Sequence, residues 1–261
     1  MNFLKEKLQY GGEFSPAAFM HPANGLGPVY AWIWNAPVTR EVITRQLDEM
    51  AQSGVRVVYI LPEPKEFLPE NMVTEMEPEY LSPEFMELVH FTMEQAKKRG
   101  MAMWLYDEGG WPSGGAAGRV VAQLPEARKK MLDRHRISGE KAAALQKESY
   151  VGITDAEGNR LVPEEAAEKE WVWIYEIMGI YDPAAQPDVT DAEAIRLFVE
   201  ITHEKYAAYG SEYVGDLAQL MFTDEPETAM PAWPRGFAER FLARFGYDIR
   251  DHLACLFKED S

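Results

Sequence analysis

Between residues 29 and 106 the chain alternates three short runs of β-branched and aromatic residues with two amphipathic stretches, and this alternation restricts the fold more than any other feature. Val29-Tyr-Ala-Trp-Ile-Trp34 opens after Gly27-Pro28 and closes at Asn35-Ala36-Pro37, the pattern of a strand. Thr39 stands as N-cap of a helix over 40–50, where Val42, Ile43, Gln46, Leu47 and Met50 recur at three- and four-residue spacing until Gly54 ends it. Residues 55–61 follow as a mostly apolar strand of the kind covered on both faces in parallel sheets. Ser82-Pro83 starts a second helix that closes at Lys97-Lys-Arg-Gly100, and residues 101–106 form a third strand. Strand and helix alternating through short connections predict right-handed βαβ crossovers and a parallel sheet.

Beyond residue 115 the spacing predicts a helix over 116–132. Residues 137–187 then break the rhythm, with antiparallel strands at 149–154 and 170–178 around a polar Ala/Glu-rich stretch. A long helix over 190–209, a fourth parallel strand over 217–222 and a helix over 235–245 resume it. The expected organisation is three βα units in 1–136, an inserted β subdomain in 137–187, and the long helix, fourth strand and following helices in 188–261. Four units are half of a (β/α)8 barrel, which takes eight strands and typically ~250 residues. The chain therefore reads as the N-terminal half of a barrel, or as a half-barrel that completes itself by association, for which a homodimer is expected. An open doubly wound sheet is the alternative, but no Gly-x-Gly-x-x-Gly follows the first strand.

Lys and Arg number 26 against 43 Asp and Glu in 261 residues, a formal charge of −17, which opposes binding to nucleic acid or an anionic membrane. A lone cysteine, Cys255, allows no internal disulfide, and no stretch approaches the ~20 apolar residues of a spanning helix. With no apolar leader near Met1, the expectation is a cytoplasmic location.

In parallel α/β proteins the loops at the carboxyl edge of the sheet converge on one site. Here they carry Trp34 and Asn35, Glu63, Asp107 and Glu108 with Trp111, and Asp224 and Glu225 with Glu227. Carboxylates and amides accept hydrogen bonds from hydroxyls, and indole faces stack on the C–H surface of a pyranose, so this set suits a carbohydrate. Glycosidic cleavage needs a proton donor and a second carboxylate, ~5–5.5 Å apart for retention and ~6.5–9.5 Å for inversion. Each residue also has a plainer reading. Trp32, Trp34 and Trp104 alternate within strands, so at least one belongs to the core; Glu225 and Glu63 lie beside prolines as loop acids do; Asp107, Glu108 and Asp224 suit turns. His21, His90, His135, His203 and His252 show no metal-ligand spacing, and no Asp-rich loop has EF-hand spacing, although clustered carboxylates suit Ca²⁺.

Several motifs resemble the glycoside hydrolase family 106 type of α-L-rhamnosidase and its barrel relatives. They are Phe14-Ser-Pro16 leading to Trp32-Ile-Trp-Asn35, the stretch from Ile43 to Met50 with Gly54, Trp104-Leu-Tyr-Asp-Glu108 with Gly110-Trp-Pro-Ser-Gly114, and Phe222-Thr-Asp-Glu-Pro226. The segment from Phe241 to Gly246 with Tyr247-Asp-Ile249 and Leu253 adds to them. The resemblance implies a (β/α)8 barrel that removes terminal L-rhamnose from plant glycans with inversion and holds calcium in its site. It implies that Glu225 is the general acid and that Asp107 and Glu108 are sugar-site residues, while the partner base would lie in the second half of the barrel. A non-catalytic carbohydrate-binding or assembly module is the rival reading. A third is an unrelated α/β enzyme such as an isomerase, against which stands the lack of a Gly-rich phosphate loop with a lysine.

Overall fold

A computed structural model describes residues 14–20, 28–65, 74–179, 186–226 and 230–257. The elements run α1 (Pro16–Met20), β1 (Val29–Trp34), α2 (Arg40–Gln52), β2 (Val57–Pro62), α3 (Pro83–Lys98), β3 (Ala102–Tyr106), α4 (Arg119–Gln123), β4 (Lys130–Ile137) and α5 (Gly139–Ala143). They continue with β5 (Gly152–Thr154), α6 (Pro163–Ala167), β6 (Val172–Gly179), α7 (Ala192–Ile201), α8 (His203–Gly210), β7 (Ala218–Phe222) and α9 (Phe237–Phe245), followed by a 3₁₀ segment at Ile249–Leu256. They fall into two compact units, one of residues 1–123, 183–186 and 195–226, the other of 124–182, 187–194 and 227–261.

In the first unit β1, β2, β3 and β7 form a parallel sheet in chain order, with Val29 opposite Val57, Val57 opposite Ala102 and Leu105 opposite Met221. The helices form for the reasons their sequences give. The Thr39 side chain accepts from the Val42 N–H at the start of α2, Ser82 accepts from the Phe85 N–H at the start of α3, and Pro83 sits where no N–H is needed. Ile43 and Leu47 of α2 and Phe85, Met86, Val89, Met93 and Ala96 of α3 are buried in one core with Trp32, Trp34, Val58 and Ile60 of the sheet. Mixed α/β architecture with a parallel sheet is what the alternation predicts. Among the described residues that sheet has four strands and does not close.

Two helices differ from the expectation. Only Arg119–Gln123 of the stretch 116–132 is α-helical: Ala116 and Ala117 have φ of 51°, and Pro125 pushes Leu124 out of the helical region, to φ −131°. The single helix expected over 190–209 is two, broken at Thr202 (φ −110°, ψ −74°), whose hydroxyl bonds back to the Phe198 carbonyl at 2.7 Å.

In the second unit β4, β6 and β5 form an antiparallel sheet in that order, paired from Lys130 opposite Gly179 to Ile137 opposite Val172. β5 and β6 fall on the two stretches expected as strands; β4 occupies residues read as helix and connection. One face packs Leu132 and Tyr175 against Trp233, Ala238, Ile249 and Leu253, and the other packs Ile174 and Val172 against Ile153, Ala142 and Ala166. Among the described residues no helix is long and apolar enough to cross a membrane.

Candidate active site at the carboxyl edge of the parallel sheet

β2, β3 and β7 each place a ring on one face of the sheet. Tyr106 stacks on Phe222 with centroids 5.6 Å apart, and Tyr59 lies 5.9 Å from Tyr106 and 5.4 Å from Phe222. Burial, and after it the charge of Asp224, push the Tyr59 and Tyr106 hydroxyls above their ordinary range.

The loop after β3 is built around one carboxylate. Glu108 is fully buried and accepts five backbone N–H bonds, at 2.8 and 2.6 Å on Oε1 from Gly109 and Ala117, and at 3.0, 2.8 and 2.8 Å on Oε2 from Gly114, Gly115 and Ala116. Burial pushes its carboxyl up to about 7, against the backbone bonds, which pull it down. Gly109 must be glycine, because a Cβ there would lie 2.8 Å from the Tyr80 ring and 2.9 Å from Pro64 Cγ.

Asp107 joins this loop to the one after β7. Its Oδ1 accepts from Ser113 Oγ at 2.7 Å and its Oδ2 from Thr223 Oγ1 at 2.6 Å. Ser113 Oγ in turn accepts from the Asp224 N–H at 2.9 Å, and the Ser113 N–H donates to the Asp224 carbonyl at 2.8 Å. His203 Nε2 stands 3.7 Å from Asp107 Oδ2, and its Nδ1 is 3.0 Å from Thr202 Oγ1. The result is two strand-end loops tied through side chains, with Glu225 held exposed at φ 42° immediately beyond the tie.

The expected site residues separate accordingly. Trp34 is 2% exposed and packs edge-on against Trp32 and Phe85, each 5.6 Å away, as a ring of the core. Asp107 and Glu108 are buried, and their oxygens accept from protein donors that hold the two loops. Asn35 has an exposed side chain, while its carbonyl accepts from the Glu75 N–H and Thr74 Oγ1. Trp111 and Asp224 are half-buried and Glu225 is exposed. Glu227 lies outside the described residues.

Glu63 has the most informative surroundings. It is 6% exposed, and among the described residues its carboxylate has no hydrogen-bond or ion-pair partner, although its backbone is fixed to Trp34 and Thr74.

Ser113, Thr223, Thr202 and His203 were not singled out from sequence. Ser113 and Thr223 lie inside the two most distinctive motifs, whereas nothing local marks His203. Among the described residues no three His, Cys, Asp or Glu side chains gather as a metal cluster.

No family model matches the chain, and no curated protein matches it. Among solved structures, a rhamnosidase from Novosphingobium sp. PP1Y aligns with a TM-score of 0.53 and 13% identity over 92% of this chain and 42% of its own. A Bacillus licheniformis trehalose-6-phosphate hydrolase aligns at 0.35 and 14% over 68% of this chain and 33% of its own, and a family GH13_31 enzyme at 0.34 and 12% over 84% and 45%. The likeness to the rhamnosidase is one of fold, a glycosidase-like fold, and the chain spans less than half of that enzyme's length.

Proposed function

We propose that this chain is the part of a glycoside hydrolase that carries the general acid, Glu225, with α-L-rhamnosides of plant-type glycans as the substrate class. The observation that carries the reading is the position of Glu225: an exposed carboxylate at the carboxyl end of a parallel strand, in a left-handed backbone conformation directly after the Asp107–Ser113–Thr223 tie. Non-glycine residues adopt such a φ at a cost, and they gather at sites where side-chain direction matters. Glu63, 6% exposed and with a carboxylate that no side chain among the described residues pairs with, supports a role in holding substrate hydroxyls, and Asn35, Trp111 and Asp224 complete the proposed sugar-facing set. In this mechanism Glu225 protonates the leaving oxygen while a second carboxylate acts on the anomeric carbon or on water. The second reading is a non-catalytic carbohydrate-binding module, favoured by the four parallel strands among the described residues, which offer half of a barrel's strand ends.

The experiment is hydrolysis of a panel of aryl glycosides, α-L-rhamnoside included, by the chain and its Glu225→Gln variant. The substitution is expected to lower turnover of poor leaving groups by about 10²–10⁴-fold and that of activated aryl glycosides far less, since the latter need little protonation. Equal loss on both classes would remove Glu225 from the role. Saturable sugar binding without turnover would favour the module.

A further inference from the structure

In the unit that holds the antiparallel sheet, two arginines face aromatic rings instead of carboxylates. The guanidinium carbon of Arg134 lies 4.4 Å from the Trp173 ring centroid and 4.8 Å from that of Phe257, and that of Arg136 lies 3.8 Å over Trp171. Arg160, Arg235 and Arg250 of the same unit behave otherwise, pairing with Asp251 at 2.7 Å, Asp191 at 2.7 Å and Asp248 at 2.9 Å. Among the described residues Arg134 and Arg136 have no carboxylate partner, in a chain with 43 acidic residues to 26 basic ones. They stand two positions apart on β4, so they project from one face of the sheet with Cα atoms about 7 Å apart. A ring against the guanidinium face fixes its plane and leaves the in-plane N–H groups able to donate. Two such groups side by side are suited to a bidentate grip on an oxyanion.

We infer that Arg136, with Arg134 beside it, forms a binding site for the oxyanion of an acidic saccharide, a carboxylate-bearing sugar. The oxyanion part stands on the two stacked guanidinium groups, which no carboxylate among the described residues pairs with. The saccharide part rests on the glycosidase reading above and on Trp171 and Trp173, half-buried indoles that meet edge to face 5.7 Å apart at the same place. Indole is the ring that packs on the C–H face of a pyranose.

The test titrates the full chain with glucuronate, glucose and sodium sulfate at fixed ionic strength, following tryptophan fluorescence, to which Trp171 and Trp173 contribute. Glucuronate should give a saturable change and glucose none. Arg136 is exposed, so its replacement leaves the sheet intact: Arg136→Ala should weaken binding by about tenfold or more, and Arg136→Lys, which keeps the charge and loses the fork, by less. A response to sulfate equal to that for glucuronate would overturn the saccharide assignment. No saturable response to either anion, or one that Arg136→Ala leaves unchanged, would overturn the site. The readout is binding, so an absence of glycoside turnover, which would sink the reading above, leaves this result interpretable.

Discussion

A carboxylate sealed away from water is costly unless its lone pairs are filled, and Glu108 fills them with five backbone N–H groups. Making those groups converge forces Ala116 and Ala117 into the left-handed region, at about 1–2 kcal/mol per residue. The loop is therefore ordered by one side chain and strained on its account. Burial holds the Glu108 carboxyl up to about 7 in the folded protein, above an ordinary value of 4.5. Between those values the folded state binds a proton that the unfolded state has lost. The contribution of Glu108 to stability is then greatest below pH 4.5 and falls as pH rises to about 7, by roughly 3 kcal/mol at 1.36 kcal/mol per unit. Urea unfolding of the chain and of Glu108→Gln across this range should give curves whose difference slopes through the window and is flat above it. Placing an amide against N–H donors shifts the variant's curve without tilting it. A difference that does not change with pH would sink the assignment.

At the scale of the element, the loops after β3 and β7 are one structure. Ser113 Oγ is acceptor for the Asp224 N–H and donor to Asp107, so Ser113→Ala breaks both bonds at once, and Thr223→Val removes the other bond to Asp107. Hydrogen exchange at the Asp224 amide should accelerate by roughly ten- to a hundredfold in Ser113→Ala, the range expected when a buried bond of 1–3 kcal/mol is lost. Exchange that stays at the parental rate would mean that the backbone bond from the Ser113 N–H suffices alone. None of this tie was legible in the sequence, where a carboxylate that holds a loop and one that holds a ligand are spelled alike. The elements themselves were far more legible. β1, α2, β2, α3, β3 and β7 show because their periodicity is local and their caps, Thr39 and Ser82, are adjacent in sequence. β4 was hidden for a physical reason. Arg134 and Arg136 lie among rings on a face where apolar residues are expected, so the alternation of Asp133-Arg-His-Arg136 does not show as apolar and polar. The break at Thr202 depends on a side-chain bond to Phe198 inside an otherwise helical pattern.

For the molecule as a whole, the parallel sheet, which does not close among the described residues, is the feature with consequences. Trp32 and Trp34 turn to the helices, and the alternate residue Ile33 is 48% exposed; Leu220 of β7 is 40% exposed. Parallel sheets are normally covered on both faces, and among the described residues β1 and β7 each have one unpaired edge. A second copy of the chain would meet both needs, since a two-fold axis along the strand direction would set each β1 beside the other β7 with all strands parallel. Opposing this is the formal charge of −17 on each copy, a repulsion that salt screens. Sedimentation equilibrium should accordingly find a mass above 29.7 kDa that increases with ionic strength, and Leu220→Asp, which adds a charge to the exposed face, should return the chain to 29.7 kDa. A 29.7 kDa species at every salt concentration would show that copies of this chain do not cover the face. Growth of mass that Leu220→Asp leaves untouched would place the contact elsewhere on the surface.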